Sequence, residues 1–242
     1  MRATDTLFSV THFKALLAKE LHEIFSSFTA YVVIAVFLAV VAYTFTSVLF
    51  FQRSVTVIHA LAQAASLMIL LVPVVTMRQF SRERETGAFE LLLSTPSGEL
   101  EIVLAKYFSS LILVSVMIVL SLSFPLALSL LGSPDYGAIA SAYIGLFLLS
   151  AAYVALGLCV AAFINNPVVA ALVSFAIFAS LWMVELANYI LPVGMQYFTE
   201  SLSFDIHFSR FLAGAVFYSD CTYFLMVVLG SLLICVQRVS YR

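Results

Sequence analysis

Glu83, Gly87 and Glu90 stand at i, i+4 and i+7 in the stretch RQFSRERETGAFELLLSTP, residues 78–96. On a helix this spacing sets them on one strip, two carboxylates flanking a residue with no side chain. The chemistry of such a strip is recognition. A partner backbone approaches closely at Gly87, while Glu83 and Glu90 accept hydrogen bonds from its basic groups. Phe80, Leu91 and Leu92 lie beside the strip and offer an apolar anchor, in a membrane interface or in a partner's groove. Gly87 lowers helix stability by ~1 kcal/mol against Ala, so it equally suits a bend. Thr95-Pro96 ends the element and Ser97-Gly98 forms a turn. A solvated loop, with arginines that fix topology and carboxylates that balance them, would use the same residues.

Groups capable of covalent chemistry are not arranged for it. None of Lys14, Lys19 and Lys106 follows a glycine, so the chain holds no nucleotide-binding loop of the G-x-x-x-x-G-K-[ST] type. H-E-x-x-H and G-x-S-x-G are also absent. The histidines His12, His22, His59 and His207 are too scattered for a metal site. Cys159, Cys221 and Cys235 are odd in number, lack paired spacing and suit buried thiols. Gln63 and Glu185 stand inside apolar segments, where polar groups are functional candidates by default. Gln63 equally suits a helix–helix hydrogen bond. Glu185 follows Pro167 by enough residues to sit ~27 Å along a helix, near the far interface, which argues against a buried proton relay. Pro73 and Pro125 are expected to kink their helices.

The elements that position these residues are membrane spans. The 242 residues are 63% hydrophobic and only 10% charged, with mean hydropathy +1.11. Soluble domains carry roughly a quarter charged residues, so this surface can only be solvated by lipid. A net charge of -2 carries no nucleic-acid signature. Six continuous apolar runs, about 28–51, 55–77, 103–131, 139–164, 167–191 and 216–236, each reach the ~20 residues that a helix needs to cross a bilayer. Barrel strands would be shorter and alternating. The runs form a single membrane domain.

Lysine and arginine placement sets the orientation. Arg2, Lys14, Lys19, Arg78, Arg82, Arg84, Lys106, Arg238 and Arg242 share one side, leaving only Arg53 and Arg210 opposite. Both termini and residues 78–96 are therefore expected in the cytoplasm. No signal peptide is evident, since the first apolar run starts late and is too long. Residues 8–27 place Val10, Phe13, Leu17, Leu21, Ile24 and Phe28 on one stripe, as in a helix lying in the cytoplasmic interface. Residues 194–214 place Phe204, Phe208, Phe211 and Leu212 on one face, with Ser203 and Gly214 as end signals. A short helix against the outer mouth of the bundle and a plain interfacial loop both fit them.

This order of features resembles the permease subunits of ABC-2 type transporters, especially the subgroup of gliding-motility permeases and the copper-delivery permease of nitrous oxide reductase assembly. Phe80, Glu83, Gly87, Glu90, Leu91, Leu92, Thr95 and Pro96 match the family's cytoplasmic stretch, and Lys106 and Tyr107 its next span start. Phe208, Phe211, Gly214, Asp220 and Tyr223 match the outer re-entrant region. Ala105 departs from the usual Gly, and Ala88 stands where Thr or Ser is common.

The resemblance implies an all-α integral membrane protein of six transmembrane helices in the bacterial inner membrane. It implies an N-terminal connecting helix over 8–27, a cytoplasmic coupling helix over 79–95 between spans two and three, and an outer re-entrant element before span six. Two permeases, identical or related, would pair around a pathway. Each would engage a cytoplasmic ABC ATPase subunit that holds ATP and Mg, with no cofactor in this chain and no catalysis by it. ATPase coupling would fall to Phe80, Glu83, Arg84, Gly87, Glu90 and Leu91, and a pathway to Gln63, Pro73 and Glu185. The implied function is ATP-driven export or extrusion of a substrate, with membrane lipids and further envelope proteins as neighbours. An ABC-type complex that transmits force to an envelope machine, or scaffolds one, also fits, because few polar groups line the spans. A self-contained membrane enzyme is the third reading, and no motif favours it.

Overall fold

Asp135 and Asn166 bracket the helix around which the other helices gather. The carboxylate of Asp135 accepts hydrogen bonds from the amides of Gly137 (3.0 Å) and Ala138 (3.3 Å), starting α7, Tyr136–Phe163. Asn166 accepts from Val168 (2.9 Å) and Val169 (3.4 Å), and with Pro167 in the first turn it starts α8, Pro167–Met183. The computed structural model describes residues 10–51, 56–85, 98–130, 135–189 and 193–240. Its other helices are α1 (Val10–Phe25), α2 (Phe28–Phe51), α3 (Ile58–Thr76), α4 (Arg78–Glu85), α5 (Glu99–Ser121) and α6 (Ser123–Ser129). A 3₁₀ turn, Val184–Tyr189, follows α8, and α9 (Val193–Leu202), α10 (Phe204–Leu212) and α11 (Tyr218–Ser240) close the chain. No strand occurs among the described residues.

Six helical stretches are long and apolar enough to cross a membrane, and the chain is an all-α, six-span membrane protein. Within its most apolar window α7 is 67% buried, against 17% for α8, so α7 is the axis and α8 a peripheral span. The axis is built from small residues. Ser141, Ala142, Gly145, Ala151, Ala152, Ala155, Gly157, Ala161 and Ala162 are buried along it. Small side chains let neighbouring backbones approach where lipid supplies no hydrophobic drive between helices. α3, α5, α8, α10 and α11 all pack on it.

The long third span is not one tilted helix. It breaks at Leu122, between α5 and α6, three residues before Pro125. Proline has no amide to bond the carbonyl four residues earlier. That carbonyl belongs to Ser121, and the Tyr143 hydroxyl of α7 donates to it at 2.9 Å. Pro73, in contrast, lies within α3. Thr76 donates back to the carbonyls of Val72 (3.1 Å) and Pro73 (3.5 Å), and the helix ends there. The fifth span also ends earlier than the apolar run suggests, its α-helix stopping at Met183.

On the side opposite α1, residues 194–214 form two helices. Ser203 caps α10 by accepting from the Ile206 amide at 3.3 Å. Gly214 closes it at φ +83°, a conformation that disfavours any side chain, and its amide donates to the Phe211 carbonyl at 3.1 Å. Phe204, Phe208 and Phe211 are buried against the bundle. Beside them Asp220, fully buried in the first turn of α11, accepts from the Arg210 guanidinium at 3.0 Å. His207 donates from Nδ1 to the Ser203 carbonyl at 2.8 Å and stacks on Tyr223, ring centres 4.0 Å apart.

Candidate coupling site

α4 is a continuation of span two after a single turn residue, Met77. Its first turns face into the protein. Gln79, Phe80 and Ser81 are buried. The Gln79 amide donates to the Ser110 hydroxyl of α5 at 2.6 Å. Phe80 is fully buried under the Lys106 ammonium, which stands 5.4 Å from its ring centre. Phe80 therefore anchors α4 to its own bundle. The expectation that it enters a partner's groove or the lipid interface is corrected by its burial.

Lys106 is the centre of the arrangement. It lies in the second turn of α5, which starts at Glu99, earlier than the predicted span and with Glu99 and Glu101 at the positive end of the helix dipole. Rather than marking a solvated membrane boundary, Lys106 is 1% exposed. Its ammonium donates to the Glu20 carboxylate of α1 at 2.9 Å. Glu20 is the one buried residue of α1. Lys19 also reaches Glu20, at 4.0 Å, but it is half exposed and adds little. The rings of Phe13 and Phe108 meet edge-on at 6.1 Å and extend the α1–α5 seam. α1 is thus bolted to α5 by a charge pair and an aromatic contact, where its apolar stripe had suggested only a helix resting on lipid.

Three elements meet through two side chains. Lys106 joins α1 to α5 through Glu20 and covers Phe80 of α4, while Gln79 joins α4 to α5 through Ser110. A displacement of α4 along its axis therefore acts on spans two and three and on α1 together. Glu83 and Arg84 belong to the helical backbone of α4. Gly87, Glu90 and Leu91 lie outside the described residues.

The three pathway candidates do not converge. Gln63 is half-buried near the start of α3, and Pro73 is buried ten residues on, ~15 Å along the same helix. Glu185 is in the 3₁₀ turn beyond α8, half-buried beside Asp205 of α10. No single site is formed by them.

Glu20, Gln79 and Ser110 were missed by sequence reasoning. A signal existed for the first: Lys106 stands seven residues into an apolar helix, and a buried ammonium requires a carboxylate partner. No comparable signal marks Gln79 or Ser110, whose pairing depends on how two helices dock.

Six helices of spanning length and composition define a multi-pass membrane protein. The profile of the family described as ABC-2 family transporter protein matches residues 58–208, more than half of the chain, and the chain belongs to that family. The match takes in α3 to α9 and the start of α10, up to Phe208. No curated protein matches the sequence. The ABC-2 domain is the membrane component of a transporter and not itself catalytic, and such proteins generally pair with an ATPase subunit and form dimers.

Proposed function

We infer that this chain is the permease subunit of an ABC transporter in which a separate cytoplasmic ATPase, holding ATP and Mg, drives export or extrusion of a substrate. The observation that carries the reading is the bonded junction of α1, α4 and α5. A helix that leads directly from a span, and is tied to a second span and to the N-terminal helix, transmits a push without dissipating it in a loose loop. Residues 79–95 are the coupling element, with Glu83, Arg84, Gly87, Glu90 and Leu91 on the ATPase side and Phe80 holding the element from within. Two permeases, identical or related, form the pathway in the bacterial inner membrane, with both termini and the coupling element in the cytoplasm.

Function then follows from geometry in a simple order. Closure of the ATPases displaces the coupling element. Lys106, Glu20 and Gln79 keep α1, α4 and α5 in register, so spans two and three tilt against the α7 axis. Co-purification tests the pairing. The full chain is expected to bring down an ATPase subunit that carries a nucleotide-binding loop. Purification from its native membrane with no such subunit, together with chemical turnover by this chain alone, would overturn the reading.

A further inference from the structure

The second half of span three carries a run of competing hydrogen bonds. Ser115 donates its hydroxyl to the Leu111 carbonyl at 2.7 Å, Ser121 to Ile118 at 2.7 Å, Ser123 to Leu120 at 2.9 Å and Ser129 to Leu126 at 2.7 Å. Hydroxyls bonded back onto their own helix weaken its backbone ladder and bend it. The Leu122 amide bonds the Val119 carbonyl at 3.1 Å, three residues back rather than four. Pro125 then has no amide for the Ser121 carbonyl. Residues 121–125 are therefore the weak joint of the span.

The two sides of this joint answer to different neighbours. α5 holds 23 residues and is ~34 Å long, enough to cross the hydrocarbon core alone. Near its start, Lys106 and Ser110 tie it to α1 and α4. α6 lies beyond that length. Its Leu128 is fully buried, its Phe124 ring stands 5.4 Å from Phe45 of α2, and its Leu126 is exposed. At the joint itself the axis helix α7 intervenes. The Tyr143 hydroxyl donates to the Ser121 carbonyl at 2.9 Å and lies 3.2 Å from the Ser121 hydroxyl. One phenol thus satisfies the carbonyl that Pro125 leaves open and holds the joint at its present angle.

We propose that residues 121–125 are a hinge in span three, latched by Tyr143, about which α5 tilts while α6 stays seated on α2. A hinge at this point lets a push that enters through α4 move the crossing part of span three without dragging the α2 contact along. That use rests on the coupling reading of α4. The hinge and its latch rest on the hydrogen bonds alone.

Hydrogen–deuterium exchange of the purified full-length chain, read by mass spectrometry, tests both. Tyr143→Phe removes one hydroxyl and is expected to speed exchange over residues 119–130 roughly tenfold, the worth of one hydrogen bond, with residues 109–117 changed less than about twofold. Pro125→Ala restores an amide opposite the Ser121 carbonyl. It is expected to slow exchange over residues 119–130 and, combined with Tyr143→Phe, to abolish the acceleration. Acceleration by Tyr143→Phe that is equal with and without Pro125 overturns the proposal. So does no acceleration, or a rise along the whole span together. In the complex with its ATPase subunit, a non-hydrolysable ATP analogue is expected to speed exchange over residues 119–124 in the natural chain and not in Pro125→Ala. The same response in both overturns tilting about this hinge. Failure of any such complex to assemble, with the exchange of the chain alone as expected, overturns the coupling reading and supports the hinge.

Discussion

Replacing Lys106 with Met is expected to destabilise the folded chain by about 3–5 kcal/mol, the cost of breaking a buried charge pair by removing one partner. Glu20 is 4% exposed and cannot recover its hydration without α1 moving away from α5. Glu20→Leu is expected to have an effect of similar size, since it removes the carboxylate bonded to an ammonium that is 1% exposed. The double variant Glu20→Leu/Lys106→Met should be close to the natural chain in stability, because a buried pair replaced by apolar groups of similar volume is often neutral. Thermal unfolding in detergent of the four proteins reads the cycle. Strong non-additivity is the expected result. Additive losses would mean that the two residues act separately and that no pair bolts α1 to α5. The double variant also separates stability from coupling: it should fold, yet weaken the register between α1 and α4.

The second large effect is expected at the α7 axis, where two glycines are contact points. A Cβ at Gly145 would lie 2.5 Å from Phe211 Cβ and 2.6 Å from its Cγ. The backbone fixes the Phe211 Cβ, so Gly145→Ala must push α10 off α7. A Cβ at Gly157 would lie 2.5 Å from Thr76 Oγ1, with Thr76 Cβ at 3.2 Å. Overpacking of this kind costs about 1–3 kcal/mol, and Gly145→Ala is expected at the upper end or beyond. Thr76→Ala removes the worst contact at Gly157, so Gly157→Ala/Thr76→Ala should regain most of the loss. No equivalent rescue exists at Gly145, because the nearest atom is the Phe211 Cβ, which every side chain keeps. Trp182, the single tryptophan, packs 6.3 Å from Phe208 of α10. Its fluorescence should shift in Gly145→Ala and stay unchanged in Gly157→Ala. The same spectrum in both variants would contradict this account of α10 docking.

The spans were legible because their physics is one-dimensional. Continuous apolar length reports a membrane helix whatever it packs against, and Asn166-Pro167 and Ser203 announce helix starts through local hydrogen bonds. The break in span three was half legible. Pro125 predicts a lost hydrogen bond, but the Tyr143 hydroxyl that satisfies the freed Ser121 carbonyl comes from another helix. What sequence patterning missed was inward polarity. Lys106 counts as a basic residue for topology and Glu20 as the polar side of an amphipathic helix, until docking turns them toward each other. Phe80 was misplaced for the same reason: an aromatic beside a charged strip looks like an outward anchor, and only the position of α5 reveals it as an inward one.

The central claim is that residues after Phe80 receive the ATPase and that the α1–α4–α5 junction carries its movement into the spans. The direct measurement is ATP hydrolysis by the complex of the full chain with its ATPase subunit, comparing the natural chain with Glu83→Arg/Gly87→Arg/Glu90→Arg. Unchanged melting and Trp182 fluorescence establish that the variant is folded. The account predicts that the complex no longer assembles, or that its hydrolysis falls by at least ~10-fold, because three bulky cations replace two acceptors and the close-approach point between them. Normal assembly with normal hydrolysis would contradict it.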